Sequence, residues 1–406
     1  MSLVPVRSTC RICGSPDLDH VFTLGDHYVS DFVSPGKAFA GIRCAIELVK
    51  CNYCTLVQNP HTAPQELLYT GHYWYRSGVT QTMKAALADV VVAANKAVDL
   101  NWGDVVLDIG SNDGTLLRCY NHRLFKVGVE PAENFAEVGA VGVNLFINDF
   151  WNANCIAPGA AKVITAIGMF YDLDDPNQFI SDIATALHKD GVFIAQLMCL
   201  QNMINCSDIG NLAHEHLEFY TLKSLQYLLG KHGLELYDIE TNNTNGESYR
   251  LFIQHKDGQH KVSSSVAAYQ SSEQDIMTAL QEFLVRMNLN KIGLQQFIFQ
   301  QMAERSNKRI WVYGASTKGN TILQYLALDH YDIQGASERS PEKWGMVTAG
   351  SNIPIHSEET ARKAMPDYFL VLPYAFIDEF IKREANQPWR KQGGKFIVPL
   401  PEWRIL

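Results

Sequence analysis

The run D-V-V-L-D-I-G-S-N-D-G, residues 104–114, sets the architecture of the chain. Val105, Val106 and Leu107 form a short apolar stretch of the kind that makes a buried strand, and it passes directly into a glycine-bearing turn. T-L-L-R-C-Y then starts a helix. Gly110 and Gly114 carry no Cβ, so a ligand can approach the backbone closely. F-K-V-G-V-E is a second strand ending in Glu130, about twenty residues on, where an acid accepts hydrogen bonds from both hydroxyls of a ribose. N-L-F-I reads as a third strand, and Asp149 beyond it is placed to meet an adenine amino group. K-V-I-T-A-I and G-V-F-I-A-Q-L follow as strands four and five. This alternation predicts a parallel, doubly wound α/β sheet. L-E-L-Y-D-I-E and S-Y-R-L-F-I-Q-H, separated by N-N-T-N-G-E, predict a closing antiparallel strand with a polar loop over the pocket.

Two cofactors compete for such a turn. A nicotinamide fold wants G-x-G-x-x-G, whereas this turn holds only Gly110 and Gly114. The pattern resembles motif I of the class I S-adenosylmethionine (SAM) methyltransferases, D-x-G-x-x-x-G, carried by Asp108, Gly110 and Gly114. SAM has no pyrophosphate, so the strict dinucleotide glycines are not required. Together with Glu130 the turn favours SAM.

The 406 residues suggest two to four domains, and 47% hydrophobic with 19% charged residues excludes a disordered chain. A formal charge of −9 argues against a nucleic-acid coat or a polybasic membrane anchor. No apolar run approaches the roughly 18 residues of a membrane helix. No secretory signal is visible, so a cytoplasmic location is expected.

Nine cysteines could mean disulfides, a metal site or buried thiols. An odd count in a long chain speaks against a disulfide scaffold. Position is more telling. C-R-I-C places Cys10 and Cys13 on one tight turn, and C-N-Y-C places Cys51 and Cys54 on another. Two such turns make a closed four-thiolate site, the usual structural zinc site. The loop between the pairs exceeds the common spacing of roughly 15–20 residues, which is tolerable because closure entropy grows only logarithmically. Gly14 suits a turn that aims N–H groups at sulfur. Cys44 and His27 lie inside the loop but lack the paired spacing.

N-L-A-H-E-H-L-E-F-Y-T-L-K-S-L covers residues 211–225. Thr221 is a good N-cap for the leucine-spaced helix after it. His214, Glu215 and His216 therefore sit on a loop after strand five, at the carboxyl end of the sheet, where α/β enzymes place their ligands. Histidine is the side chain best suited to taking a proton near neutral pH. Two readings stay open on these residues alone: a proton-transfer site, or a surface H-E-H with one local hydrogen bond. A metal reading lacks a third ligand.

The paired CxxC turns, L-D-I-G-S-N-D-G and H-E-H-L-E-F-Y-T-L-K-S-L together resemble the SAM-dependent nucleotide-sugar C-methyltransferases. Y-W-Y-R-S-G at 73–78, V-Y-G-A-S-T-K-G-N-T at 312–321 and G-G-K-F-I-V-P-L-P-E at 393–402 extend the resemblance over almost the whole chain. It implies a zinc-binding domain over 1–75, a class I methyltransferase (Rossmann-like) domain over 76–257, and a second Rossmann-like domain over 258–406 that starts with a helical connector around 272–305. K-R-I-W-V-Y-G-A-S-T-K-G-N supports the last part independently, as another strand, glycine turn and helix start. Its turn, Gly314–Gly319 with Lys318, could hold a phosphate or carboxylate, or could be a vestigial fold without a ligand.

The resemblance also implies the chemistry. A base makes an enolate beside the ketone of a nucleotide-linked 4-keto-deoxysugar, and the enolate takes the SAM methyl. His216 corresponds to the favoured base, with Glu215 and His214 beside it in the catalytic segment. Tyr75, Ser77 and Asn112 join Asp108, Gly110, Gly114, Glu130 and Asp149 as cofactor contacts. Arg76 and Lys318 are the cations expected near the substrate. The sequence departs from the family at Ala213, where a Tyr is usual, and at Gln196, where an acid is common. A sugar O-methyltransferase, a nicotinamide-dependent oxidoreductase and a non-catalytic SAM- or nucleotide-binding protein are the competing classes. The oligomeric state is not legible.

Overall fold

The structure is a computed structural model that describes residues 4–198, 200–242, 248–273, 275–303 and 308–406. The expected polar loop over the pocket falls mainly on 243–247, outside the described residues.

The run at 104–114 forms the centre of a seven-stranded sheet. Val105–Ile109 lies between Phe125–Val129 and Ala161–Ile167, with Leu145–Ile147 at one edge and Leu187–Met198 beyond the other neighbour. These five strands are parallel. Ser248–His255 then runs antiparallel to Leu187–Met198, and Leu234–Asn242 antiparallel to it. That order and the reversed closing strand match the expected class I methyltransferase sheet. The two-residue period of a strand sorts the core. Val106 packs with Leu87, Val90 and Val91 of helix Gln81–Ala97. Leu107 and Ile109 face the opposite layer, formed by helices Pro176–Ala186 and Leu222–Lys231. Thr221 caps the second of these as expected, in a reciprocal box with Ser224.

A second parallel sheet follows the connector helix Ile276–Ala303. Ile310–Tyr313 sits between Ala336–Glu338 and Tyr368–Val371, flanked by Ile355–Ser357 and Lys395–Val398, so this unit is also doubly wound. Arg404–Ile405 closes its edge antiparallel.

The N-terminal sheet orders Leu18–Tyr28, Arg43–Cys51, Val57–Gln58 and Glu218–Phe219. Its last strand comes from the middle of the chain, just after H-E-H, so this pairing crosses the boundary expected at 75/76. The cores are shared as well. Cys10, Ile12, Cys51 and Leu56 pack with Leu107 and Phe170. Phe22, Ile46 and Leu48 pack with the connector helix and with Val312 and Leu370 of the C-terminal sheet. No described helix is long and apolar enough to cross a membrane.

Candidate active site

The glycine turn is held from both sides. Gly110, Asn112 and Gly114 all have positive φ, between 51° and 74°. A Cβ on Gly114 would stand 2.7 Å from the Gly139 carbonyl, so only glycine fits there. The Asn112 N–H donates to Glu130 Oε2 at 2.8 Å and the Ala132 N–H to Oε1 at 3.0 Å. Asn112 Oδ1 accepts from the Ser77 N–H, and its Nδ2 donates to the Tyr75 carbonyl, both at 3.0 Å. The Y-W-Y-R-S-G segment is thereby fastened across the turn.

A cavity of about 400 Å³ opens there, of ordinary size for a cofactor. Tyr75, Ser77, Gly110, Asn112 and Glu130 all line it, as do Tyr69, Tyr73, Trp151 and Asp172. The residues fit SAM. Each Glu130 oxygen keeps a lone pair after its backbone bond, which leaves acceptors for a diol. Burial raises the Glu130 carboxyl, and its two backbone N–H donors oppose that. Trp151 Nε1 and Asp172 Oδ1 are buried without hydrogen-bond partners among the described residues, a donor and an acceptor left for a polar ligand.

Three expected cofactor contacts lie elsewhere, Gly114 among them, set against the Gly139 carbonyl and off the cavity wall. Asp108 is buried beneath the turn, accepts from Thr165 Oγ1 at 2.6 Å, and is pushed up to about 7 by burial; it is not on the cavity wall. Asp149 is exposed and turned back to the N–H of Phe150 at 2.7 Å, while Phe150 and Trp151 take the wall in its place. Arg76 is not on that wall either. It stands on an outer groove with Lys84 and Arg118, its Nε 3.5 Å from Asp113.

Tyr75, Ser77, Ile167 and Gly168 also border a recess of about 60 Å³ that holds Tyr171, Met198 and Ser248. The Tyr171 ring meets the His216 ring edge-on at 4.6 Å, so the recess leads to the H-E-H segment. A turn closed by the His216 N–H on the Ala213 carbonyl separates the two histidines. His214 turns to the N-terminal sheet, its Nε2 2.9 Å from the Cys44 carbonyl, away from the reaction side where it was expected. Burial lowers His214 to about 4. His216 Nδ1 lies 2.7 Å from the Asn211 carbonyl. A carbonyl only accepts, so Nδ1 carries the hydrogen and Nε2 is left as an acceptor. Burial and then Lys318 lower His216 to about 3.

Lys318 does not serve its own glycine turn. Its Nζ donates to Asn211 Oδ1 at 2.5 Å, and burial lowers it against the opposing fields of Asp208, Glu215 and Asp172. Glu215 is pushed up to about 7 by burial, with Lys318 pulling the other way. The expected anion turn is also filled from within. The Ala315 N–H donates to Glu338 Oε2 at 3.0 Å and the Gly319 N–H to its cap Ser316 at 3.0 Å. Gln196, the departure at strand five, accepts from Arg250 and Asn242. Tyr220 lies in the core against Phe170.

Sequence reading missed Asp172, Asn211 and Tyr69. The acid-rich D-L-D-D-P after strand four was the available signal for Asp172, since it too lies at the carboxyl end of the sheet.

The four cysteine sulfurs of Cys10, Cys13, Cys51 and Cys54 lie within 4.8 Å of one another. The pairs Cys10–Cys54 and Cys13–Cys51 stand at 3.4 and 3.5 Å, close to the roughly 3.8 Å edge of a zinc–sulfur tetrahedron. The donor set is that of structural zinc. The Gly14 N–H closes its turn on the Cys10 carbonyl rather than on sulfur. Cys44 and His27 stay outside the cluster.

Three family models match successive parts of the chain. One described as "Putative zinc binding domain" matches residues 10–69, "Methyltransferase domain" matches 80–239, and "C-methyltransferase C-terminal domain" matches 243–401. With the sheet order and the site above, the chain is a SAM-dependent methyltransferase whose N-terminal domain binds zinc. Together these matches span most of the chain, and the last of them is the C-terminal domain of C-methyltransferases. The C-methyltransferase NovU of Streptomyces niveus is 28% identical to it over 409 residues, 98% of this chain and 96% of NovU. Among solved structures, geranyl diphosphate C-methyltransferase of Streptomyces coelicolor A3(2) is 12% identical and overlaps 43% of this chain and 81% of its own, with a TM-score of 0.36. The PH0226 protein of Pyrococcus horikoshii OT3 is 14% identical over 45% of this chain and 95% of its own, with a TM-score of 0.37.

Proposed function

We propose that the protein methylates carbon in a nucleotide-linked 4-keto-deoxysugar, with His216 as the base. The observation that carries this is the neutral His216 ring, its Nδ1–H fixed on Asn211 and its Nε2 left as an acceptor, packed behind Tyr171, which lines the recess next to the cofactor cavity. Bound SAM supplies an electrophilic methyl group. Glu130, Asn112, Tyr75 and Ser77 hold the nucleoside part, and Asp172 and Trp151 offer further polar contacts. His216 Nε2 takes the proton from the carbon beside the ketone, and the enolate is left facing the cavity. Lys318, the cation among three buried acids, offsets the charge that forms. Glu215, once ionised, balances the imidazolium.

The test is product NMR after incubation with 13C-methyl SAM and a panel of nucleotide 4-keto sugars. A methyl signal on carbon is expected, and one on oxygen overturns the reading. Glu130→Ala is expected to weaken SAM binding at least tenfold by calorimetry, since the diol loses its acceptor. Unchanged affinity would remove Glu130 from the cofactor site. Lys318→Met is expected to raise Glu215 further and to lower turnover at pH 7 roughly tenfold, with the pH–rate profile displaced to higher pH. An undisplaced profile would show that Lys318 does not govern the site.

A further inference from the structure

We propose that Arg11, inside the first cysteine pair, and Glu218, two residues after His216, form a joint that positions the catalytic segment, so that the zinc module sets the active-site geometry as well as its own fold. This rests on His216 being the base.

Both side chains are fully buried, with Arg11 Nε 3.7 Å from Glu218 Oε1. The rest of the guanidinium is fixed from the zinc side, Nη1 donating to the Asn59 carbonyl at 2.6 Å and Nη2 to Thr62 Oγ1 at 2.7 Å. The Arg11 N–H donates to Gln58 Oε1, and Gln58 is the strand partner of Glu218. From Glu218 the connections run toward the reaction. Its Oε2 accepts the Leu173 N–H at 3.2 Å, and the N–H groups of Leu217 and Glu218 both donate to the Tyr171 carbonyl. Tyr171 is the ring packed on His216.

Register is what the pair controls. Glu218–Phe219 pairs with Val57–Gln58 over two residues only. A slip of one residue would exchange the faces of Glu218 and Phe219 and turn the segment before them. So short a ladder cannot fix its own register, whereas a buried carboxyl, held by the Leu173 N–H and facing a rigid guanidinium that opposes the upward push of burial, can. The same cysteine turn is bolted to the methyltransferase domain beside the pair. Asn177 Nδ2 donates to the Arg11 and Ile12 carbonyls, and Lys231 Nζ donates to Ile12. At the second cysteine turn, Thr55 Oγ1 meets Thr221 Oγ1 at 2.8 Å.

The test uses the full-length, zinc-loaded protein and the double variant Arg11→Met/Glu218→Leu, which removes both polar side chains and leaves neither stranded. Zinc content and SAM affinity are expected within twofold of the parent, KM within threefold, and kcat at least tenfold lower. In 15N-histidine spectra the His216 Nδ1–H resonance should shift or broaden. A kcat within twofold of the parent with an unmoved resonance overturns the proposal. So does a fall in kcat accompanied by lost zinc or lost SAM binding, because general damage then accounts for it. Should the double variant not fold, Arg11→Lys keeps the charge and loses the fork. It should lower kcat at least threefold at unchanged Tm, and an unchanged kcat overturns the joint. The spectrum reports on the segment whatever His216 does chemically, so failure of the base assignment, seen as an active His216→Ala enzyme, is read separately.

Discussion

His216→Ala is expected to lower kcat by about 10²–10⁴-fold, the usual worth of a positioned general base, while SAM affinity stays within about twofold. The ring lines neither the Glu130 wall nor the glycine turn, so cofactor binding does not depend on it. What it supplies is one acceptor atom. The Asn211 carbonyl at 2.7 Å fixes the tautomer, and a value near 3 keeps the ring unprotonated throughout the working range. The pH–rate profile therefore does not report the histidine. Glu215, at about 7, changes charge near neutrality beside the ring, whereas Asp108, also about 7, lies beneath the glycine turn. The rate should rise with pH through about 7 as Glu215 ionises, and Glu215→Gln should flatten that limb. Stability carries a signature of the same burial. The native ring takes up its proton only near 3 and the unfolded ring near 6.5. Between those values the unfolded chain binds the extra proton, so acid weakens the fold across that window, and His216→Ala removes this share of the dependence while His214, lowered to about 4, keeps its own. A variant that keeps a third or more of parental turnover would exclude His216 as the base.

What could be read in advance follows the range of each interaction. The strand, glycine turn and helix at 104–119 are local, and each residue's backbone demand is visible in its type. The cysteine pairs are likewise two tight turns whose ligand spacing needs no knowledge of the rest. H-E-H misled through its adjacency. Three consecutive residues suggested one site, but the turn closed at Ala213 directs His214 to Cys44, across 170 positions of sequence. Asp149 misled similarly. Its place at a strand end was right for a ligand contact, but the chain turns Phe150 and Trp151 inward and leaves the carboxylate in solvent. Lys318 was legible as a cation worth testing, yet its glycine turn suggested a local anion. The field of Asp208, Glu215 and Asp172 draws it into the middle domain, a long-range pairing that no local pattern encodes. Arg11 and Glu218 are 207 positions apart and meet for the same reason.

The long-range packing also decides what removing the metal does. Cys51→Ser, or stripping zinc with a chelator, is expected to lower Tm by more than about 10 °C or to yield no soluble protein. Structural zinc is worth about 10–16 kcal/mol in isolated finger peptides, comparable with the roughly 5–15 kcal/mol that holds a whole domain. A separate zinc domain would unfold alone and leave the SAM domain standing. Here it cannot, because Cys10, Cys51 and Cys54 belong to the same core as Leu107, Ile109 and Phe170 of the central sheet. Without the ion, four sulfurs within 4.8 Å are left without a common partner in that core. Calorimetry should therefore show one transition shifted as a whole, with SAM affinity falling alongside it. Cys44→Ser is the control. That thiol is buried but stands outside the cluster, against the Ala45 carbonyl at 3.6 Å, so about 1 kcal/mol is the expected cost. Two separated transitions in the stripped protein, with the SAM-binding one in place, would show that the shared core does not couple the domains.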